Sequence, residues 1–386
     1  MRKILLAAGV VAIAVFLLLY PDRCLESAKK GLDLWFAVVL PSLLPFMAAS
    51  SILLETGVVR LISYALSPLT RLLFSAPGES AYVFLAAALS GYPVGARITG
   101  ELYAKGQLSE PDAQAIVRFT SVTGPVFIGG AVATGMLGSP EAGPYLISSH
   151  YLSAVLTGVL FGIFLRNKSA PAKKETFKEA CALFKRDISL CRPLGELLSE
   201  SIEKALTTLV KIGGFIIVFS VIMEILSISG LVSAMAWVYS PLSRLTGLTE
   251  QSTKAMLLGG IEMTNGCSIA SALDLSLPLK LPIISSIITF GGMCIHMQTV
   301  SVCAPYGLVP KQFALAKGIQ ASISYALCAL FLSLFPFADA QPEAADIKTA
   351  AFFGIGYAAF SIITLLIIKY IQKTGKSAWL SFGRKL

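Results

Sequence analysis

Apolar residues run along this chain in stretches of about 20, the length that crosses a bilayer core. In the amino-terminal half these stretches cover 4–20, 32–54, 80–104, 111–137 and 144–165. In the carboxy-terminal half they cover 205–228, 252–275, 281–303, 313–335 and 347–368. Arg2 and Lys3 precede the first stretch, and Pro21, Asp22 and Arg23 follow it without a small-residue cleavage site. It therefore reads as a retained first helix rather than a removed leader. Several stretches carry helix breakers inside them: Pro41 and Pro45 in the second, Gly91, Tyr92 and Pro93 in the third, Gly124 and Pro125 in the fourth. The stretch 252–275 is expected to break near Asn265 and Gly266, and the stretch 281–303 within Gly291–Gln298. Two shorter apolar stretches, 58–74 and 231–245, each hold a central proline and an arginine near the end. They read as interfacial or re-entrant helices.

The pattern occurs twice. Ser67, Pro68, Leu69, Thr70, Arg71 and Leu72 return as Ser240, Pro241, Leu242, Ser243, Arg244 and Leu245, 173 residues later. The same offset brings the break at 91–95 onto 264–267, and that at 123–125 onto 295–298. Duplication explains aligned breaks better than chance does. The expected organisation is a first helix and linker over 1–31, a first repeat over 32–166, a basic cytoplasmic loop over 167–204, a second repeat over 205–336, and a last span with a basic tail over 337–386.

Charge gives the orientation. Segment 166–204 holds nine Lys/Arg and six Asp/Glu, and reads as a polar loop with an amphipathic helix. The tail carries Lys369, Lys373, Lys376, Arg384 and Lys385 and no acid, whereas 337–346 carries only Asp339, Glu343 and Asp346. The positive-inside rule places both termini and the central loop in the cytoplasm. Each repeat then makes an odd number of crossings, so the two are inverted. Arg23, Lys29 and Lys30 sit against this, although Asp22, Glu26 and Asp33 lie among them.

Composition agrees. Only 14% of the 386 residues are charged against 55% hydrophobic, and the mean hydropathy is +0.75. Soluble chains carry about 25% charged residues, so a water-soluble enzyme is excluded. No Walker loop, metalloprotease helix, nucleophile elbow or dinucleotide fingerprint is present, and the chain reads as a non-enzyme without a cofactor. His150 and His296 stand far apart and the seven cysteines form no C-x-x-C pair, so no metal site is expected. The fold class is an all-α polytopic membrane protein of inverted repeats with interrupted and re-entrant helices, an arrangement that signals a transporter.

Backbone freed by an interruption cannot face lipid and must line an enclosed or watery space. Candidate binding residues therefore sit at the breaks. The first offers Ser90, Gly91, Tyr92, Pro93 and Gly95, with Arg97 just beyond. The second offers Thr120, Ser121, Thr123, Gly124 and Pro125, with Arg118 half a turn before. The hydroxyls there could serve a ligand or bond back to their own helix. Arg118 could meet a carboxylate ligand or pair with Glu101. The third offers Glu262, Thr264, Asn265, Gly266 and Ser268. A carboxylate inside an apolar span is costly, so Glu262 is the strongest signal. It could hold a proton, a coupling ion or a ligand hydroxyl, or pair with an arginine of the first repeat. The fourth offers Gln298 and His296, a relay or a structural imidazole. His150, near a span start, reads as interfacial.

The sequences Ser-Gly-Tyr-Pro-Val-Gly-Ala at 90–96, Thr-Gly-Pro-Val-Phe at 123–127 and Glu-Met-Thr-Asn-Gly at 262–266 resemble the nucleoside recognition, or gate-domain, family, and within it the branch of sporulation integral membrane proteins. The resemblance covers nearly the whole chain. It implies a fold related to concentrative nucleoside transporters. The sporulation branch implies movement of dipicolinic acid from the mother cell across the outer forespore membrane, with the segments at the first three breaks lining the site. Dipicolinate is a small planar dianion that Arg97, Arg118, half-helix amino termini and hydroxyls could orient. A nucleoside or purine carrier would need no arginine at its site. A membrane scaffold for the spore envelope would need no cavity and would show a larger soluble domain. The expected partners are a small polar solute, membrane lipid and a coupling ion, with no nucleic acid. A homo-oligomer is compatible with the chain, but no feature specifies one.

Overall fold

The computed structural model describes residues 2–74, 76–164, 177–189, 192–245 and 248–337. The expected last span, the basic tail and nearly all of the acidic 337–346 loop lie outside these residues, as does the start of the central polar segment.

The described residues are helical and contain no strand. Helix α1 (Arg2–Leu19) runs into α2 (Pro21–Leu34), which continues through one π-helical stretch, Trp35–Val39, into α3 (Leu40–Glu55). The linker expected before residue 32 is thus helical. Nor do Pro41 and Pro45 break the second stretch. A proline removes one amide and clashes with the carbonyl four residues earlier. The wide π stretch immediately before Pro41 relieves that strain. Cys24 and Gly31 of α2 are buried, Ser27 Oγ donates to Ser220 O at 2.8 Å, and Arg23 pairs with Glu224 at 2.6 Å. The basic residues that opposed the charge rule are therefore partly neutralised.

From α3 onward one element order occurs twice. In the first unit α3 leads to the amphipathic α4 (Val58–Phe74), then to α5 (Glu79–Ser90), α6 (Val94–Ala104) and α7 (Glu110–Thr120). A π-helical segment, Phe127–Met136, and the long α8 (Ala142–Phe164) complete it. After α9 (Phe177–Ser189) the second unit begins with α10 (Leu194–Ile228) and the amphipathic α11 (Leu231–Leu245). It continues with α12 (Glu250–Gly259), α13 (Met263–Ser271), α14 (Leu277–Phe290) and α15 (Gly292–Cys303), and ends with the long α16 (Phe313–Leu334). Both units thus run long helix, amphipathic helix, two interrupted pairs, long helix. The helices α4 and α11 match the two short stretches read from the sequence.

Two boundaries differ from expectation, and the fourth break falls within its expected 291–298 segment. Helix α10 starts at Leu194, about three turns before Ala205 and inside the polar segment. Its 35 residues span about 52 Å at 1.5 Å per residue, well beyond a 30 Å hydrocarbon core. Its polar first turns are held by Lys204, which reaches Glu200 at 2.9 Å and Glu55 of α3 at 2.8 Å, and by the Arg192–Glu200 pair. The third break falls at Gly260–Glu262, so Asn265 and Gly266 lie in the first turns of α13. The fourth falls at Gly291, so Ile295–Gln298 are helical.

Among the described residues, five helices are long and apolar enough to cross a membrane: Pro21–Ala49, Ala142–Ile163, Leu194–Ile228, Leu277–Tyr306 and Phe313–Leu334. The α14–α15 rod is the most enclosed of them, with α16 packed on α14 and on α8. Ile128, Leu146, Leu281, Ile284 and Ile288 form the centre of the largest apolar core, next to the breaks.

Candidate functional site

All four interruptions open onto one cavity of about 60 Å³. The first contributes Ser90, Gly91 and Tyr92, the second Thr123 and Gly124, the third Glu262, Met263 and Thr264, and the fourth Cys294, Ile295 and Gln298. Apolar side chains from α3 (Leu43, Phe46, Met47) and α10 (Ile212, Ile216) close the remaining side. A cavity of this size admits a few water molecules, at about 10–15 Å³ each on this measure.

At the first break the chain turns at Gly91, whose φ is +73°, a region that side chains disfavour. An added Cβ would lie 2.9 Å from the Gly124 amide nitrogen, so the two breaks of the first unit touch through their backbones. Pro93 immediately precedes α6, and Gly95 packs against Ala87 and the Thr120 carbonyl. Arg97 is exposed, points away from the cavity and pairs with Glu101 at 3.0 Å, an arrangement usually worth about 0.3–0.5 kcal/mol.

The second break leaves residues 121–124 without helical hydrogen bonds. Three of the freed peptide groups find side chains instead, as an apolar medium favours. The Thr123 amide donates to His150 Nε2 at 3.0 Å, Tyr151 donates to the Thr123 carbonyl at 2.9 Å, and Lys317 Nζ donates to the Ser121 carbonyl. Thr120 and Ser121 bond back to Ile116 and Val117 at 2.7 and 2.9 Å, so these hydroxyls serve their own helix. Thr123 Oγ1 reaches the Ile288 carbonyl at 3.3 Å and ties the second break to α14. Pro125 starts the next helical turn. Arg118 does not meet Glu101. It lies over the Phe161 ring at 5.5 Å and donates to the Lys311 carbonyl at 3.3 Å, outside the cavity.

At the third break Glu262 caps α13. Its carboxylate accepts from the Thr264 amide at 2.9 Å, the Asn265 amide at 2.7 Å and Asn265 Nδ2 at 2.8 Å, and it is only 2% exposed. The helix dipole favours a negative charge there. Neither Arg97 nor Arg118 pairs with it, because both face elsewhere. Asn265 also bridges to Ser220 of α10 at 2.9 Å. Gly266 packs on Gly259, while Ser268 lies one turn farther along α13, outside the cavity lining.

At the fourth break the Met293 and Cys294 amides donate to the Gly260 and Ile261 carbonyls at 2.8 and 3.0 Å. The amino end of α15 therefore completes the carboxyl end of α12, and the two breaks of the second unit are spliced. Gln298 lines the cavity and bonds Cys294 Sγ at 3.3 Å. His296 does not line it. Its Nε2 donates to the Phe290 carbonyl at 3.0 Å, and its ring packs against Phe290 and Phe313.

Two groups carry more structure here than the sequence suggested. His150 is fully buried rather than interfacial. Because an amide can only donate, its Nε2 is unprotonated and Nδ1 carries the hydrogen, given to Thr289 Oγ1 at 2.9 Å. The chain continues through Ser324, Ser285 and Ser149 at 2.7–2.9 Å and joins α8, α14 and α16. Replacing His150 with leucine orphans the Thr123 amide and is expected to cost about 1–3 kcal/mol, read as a lower thermal midpoint of the purified protein. Lys317, in the 313–335 stretch, was not distinguished by the breaks at all. A lone lysine inside an apolar span was the signal available.

Of the residues expected at the site, Ser90, Gly91, Tyr92, Thr123, Gly124, Glu262, Thr264 and Gln298 share the cavity. Pro93, Gly95, Thr120, Ser121, Pro125, Asn265, Gly266 and Ser268 shape or support the breaks around it. Arg97, Arg118 and His296 stand apart.

Comparison with known proteins follows this geometry. A family model described as Gate: Nucleoside recognition matches residues 36–140, which covers most of the first unit. The chain is 31% identical over 326 residues to the sporulation integral membrane protein YlbJ of Bacillus subtilis (strain 168), covering 83% of this chain and 80% of that one. The chain belongs to this family of sporulation integral membrane proteins. A solved structure of CNTnw, a double variant in an outward-facing state, superposes with a TM-score of 0.48 at 16% identity, over 90% of each chain. As a family member the chain is a multi-pass membrane protein of sporulation, with its most polar buried surface gathered where the helices are interrupted.

Proposed function

We propose that the chain is a membrane transporter of a small polar organic solute, with dipicolinate, moved from the mother cell across the outer forespore membrane, as the first substrate to test. The observation that carries transport is the convergence of four interrupted helices, two from each unit, on one cavity. Interruptions at such depth cost backbone hydrogen bonds, and paired units that can rock about a shared site are how many carriers alternate access. Membership of a sporulation family supports dipicolinate. Both termini and the central polar segment would face the cytoplasm.

One observation favours a second reading within transport. Neither Arg97 nor Arg118 lines the cavity, and among the described residues the one charged side chain lining it is the carboxylate of Glu262. A dianion would meet hydroxyls, Gln298 and an acid, whereas an uncharged nucleoside or purine would find donors and acceptors without repulsion.

Uptake into proteoliposomes separates the two. Saturable dipicolinate uptake that uridine leaves untouched is the expected result. Uridine uptake without dipicolinate uptake selects the nucleoside reading. Uptake of neither leaves a membrane scaffold. The native thiol of Cys294 supplies a second readout, since a solute seated in the cavity slows its alkylation.

A further inference from the structure

Lys317 is the largest fully buried side chain that carries a titratable group, and the mechanism above does not use it. It sits on α16 with its whole surface withdrawn from solvent. No carboxylate among the described residues pairs with it. Its ammonium donates to the Ser121 carbonyl and, at 2.8 Å, to Gln320 Oε1 on its own helix. Two aromatic faces also flank it, Tyr92 at 5.4 Å and Phe313 at 5.8 Å.

Each of these partners suits a cation. Ser121 is the residue on which α7 ends, so its carbonyl stands at the negative end of a half-helix and has no helical donor. Gln320 presents a second oxygen. The ring faces add quadrupole attraction. Carbonyls at an unwound half-helix end are the chemistry with which interrupted membrane helices hold a sodium ion. Here that oxygen is already taken by a covalently attached charge. Tyr92 is also a wall of the cavity, so one ring separates this charge from the solute space.

We propose that the Lys317 ammonium is a tethered cation filling the cation site at the interruption of α7. No sodium ion binds there, and solute movement does not depend on a sodium gradient. The proposal concerns the energetics of the transport reading and rests on it for the second clause only.

Two measurements test it. The first is the thermal midpoint of purified protein in sodium, methylammonium or choline chloride at constant ionic strength. A ligand of the native state raises that midpoint as its concentration passes its dissociation constant. The wild type should show the same midpoint in all three salts. Lys317→Ala should unfold at a lower temperature in choline and recover in methylammonium or sodium, which fit the vacated space. Lys317→Met, neutral and of similar length, should be destabilised and should not recover. The second measurement is proteoliposome uptake. The wild type should ignore the sodium gradient, Lys317→Met should lose about tenfold or more, and Lys317→Ala should regain uptake with methylammonium.

Stabilisation of the wild type by sodium, uptake that follows the sodium gradient, full activity of Lys317→Met, or a Lys317→Ala protein blind to methylammonium would each overturn the proposal. If Lys317→Ala does not fold in any salt, the wild-type salt series and Lys317→Met decide. A wild type that moves no solute defeats the transport reading alone, and the thermal series still decides the cation site.

Discussion

Glu262→Ala lowers solute uptake about a hundredfold, equivalent to ~2.7 kcal/mol, while the protein still inserts and purifies. The carboxylate is the one charged group on the cavity wall, and it holds the two amides that open α13. Alanine leaves both amides and Asn265 Nδ2 without that acceptor. Losing a helix cap costs about 1 kcal/mol, and each buried donor left unpaired costs about 1–3 kcal/mol. The loss falls on the hinge, because the rest of α13 packs through Met263, Cys267 and Ala270 into the core. Glu262→Gln distinguishes geometry from charge. It keeps one acceptor oxygen but turns an amide donor toward one of the two backbone amides, so it recovers part of the folding and little of the uptake. Wild-type uptake by Glu262→Ala would remove the third break from the site.

Gly266→Ala is the largest structural effect expected. A methyl at Gly266 would overlap the Gly259 Cα and stand 2.8 Å from the Gly259 nitrogen, with Ile287 at 3.3 Å behind it. Both closest atoms are backbone, so no rotamer change relieves the overlap. Overpacking a rigid contact costs about 1–3 kcal/mol and often more when the backbone itself must move. Here α12 and α13 would separate, and the Gly260 and Ile261 carbonyls would lose the amides of α15. The expected outcome is a sharply lower thermal midpoint and little detergent-stable protein. Gly214, at which a Cβ meets nothing within 4 Å, is the control whose alanine variant should behave as wild type. If Gly266→Ala and Gly214→Ala unfold together, the α12–α13 contact does not hold the second unit.

The sequence by itself determined the class, the duplication and the first two breaks. Hydropathy over 20 residues is a property of composition, and lipid enforces it whatever the neighbours are. Gly91 with Pro93, and Gly124 with Pro125, interrupt helices through their own backbone chemistry, so those breaks were legible locally. The amphipathic helices Val58–Phe74 and Leu231–Leu245 carried a shared motif that survived duplication.

The tertiary structure decided what those breaks face. The third and fourth breaks hold no proline, and their positions at Gly260–Glu262 and Gly291 follow from the splice between α12 and α15, a contact between residues some 30 positions apart. Pro41 and Pro45, strong breakers by local rule, sit in a continuous helix, with a π stretch just before Pro41 taking up the strain there. Arg97 and Arg118 were placed near the ligand by spacing, yet spacing does not fix which side of a half-helix meets the cavity. Glu101, Phe161 and the Lys311 carbonyl supply partners for them elsewhere. Lys317 and His150 reversed the other way. A lone lysine in an apolar span marks Lys317 as unusual, but the roles of both residues come from peptide groups just after α7 that only folding brings beside α8 and α16. Local chemistry says where a membrane helix can open. Which side chains then satisfy the opened backbone is settled by the helices packed across it.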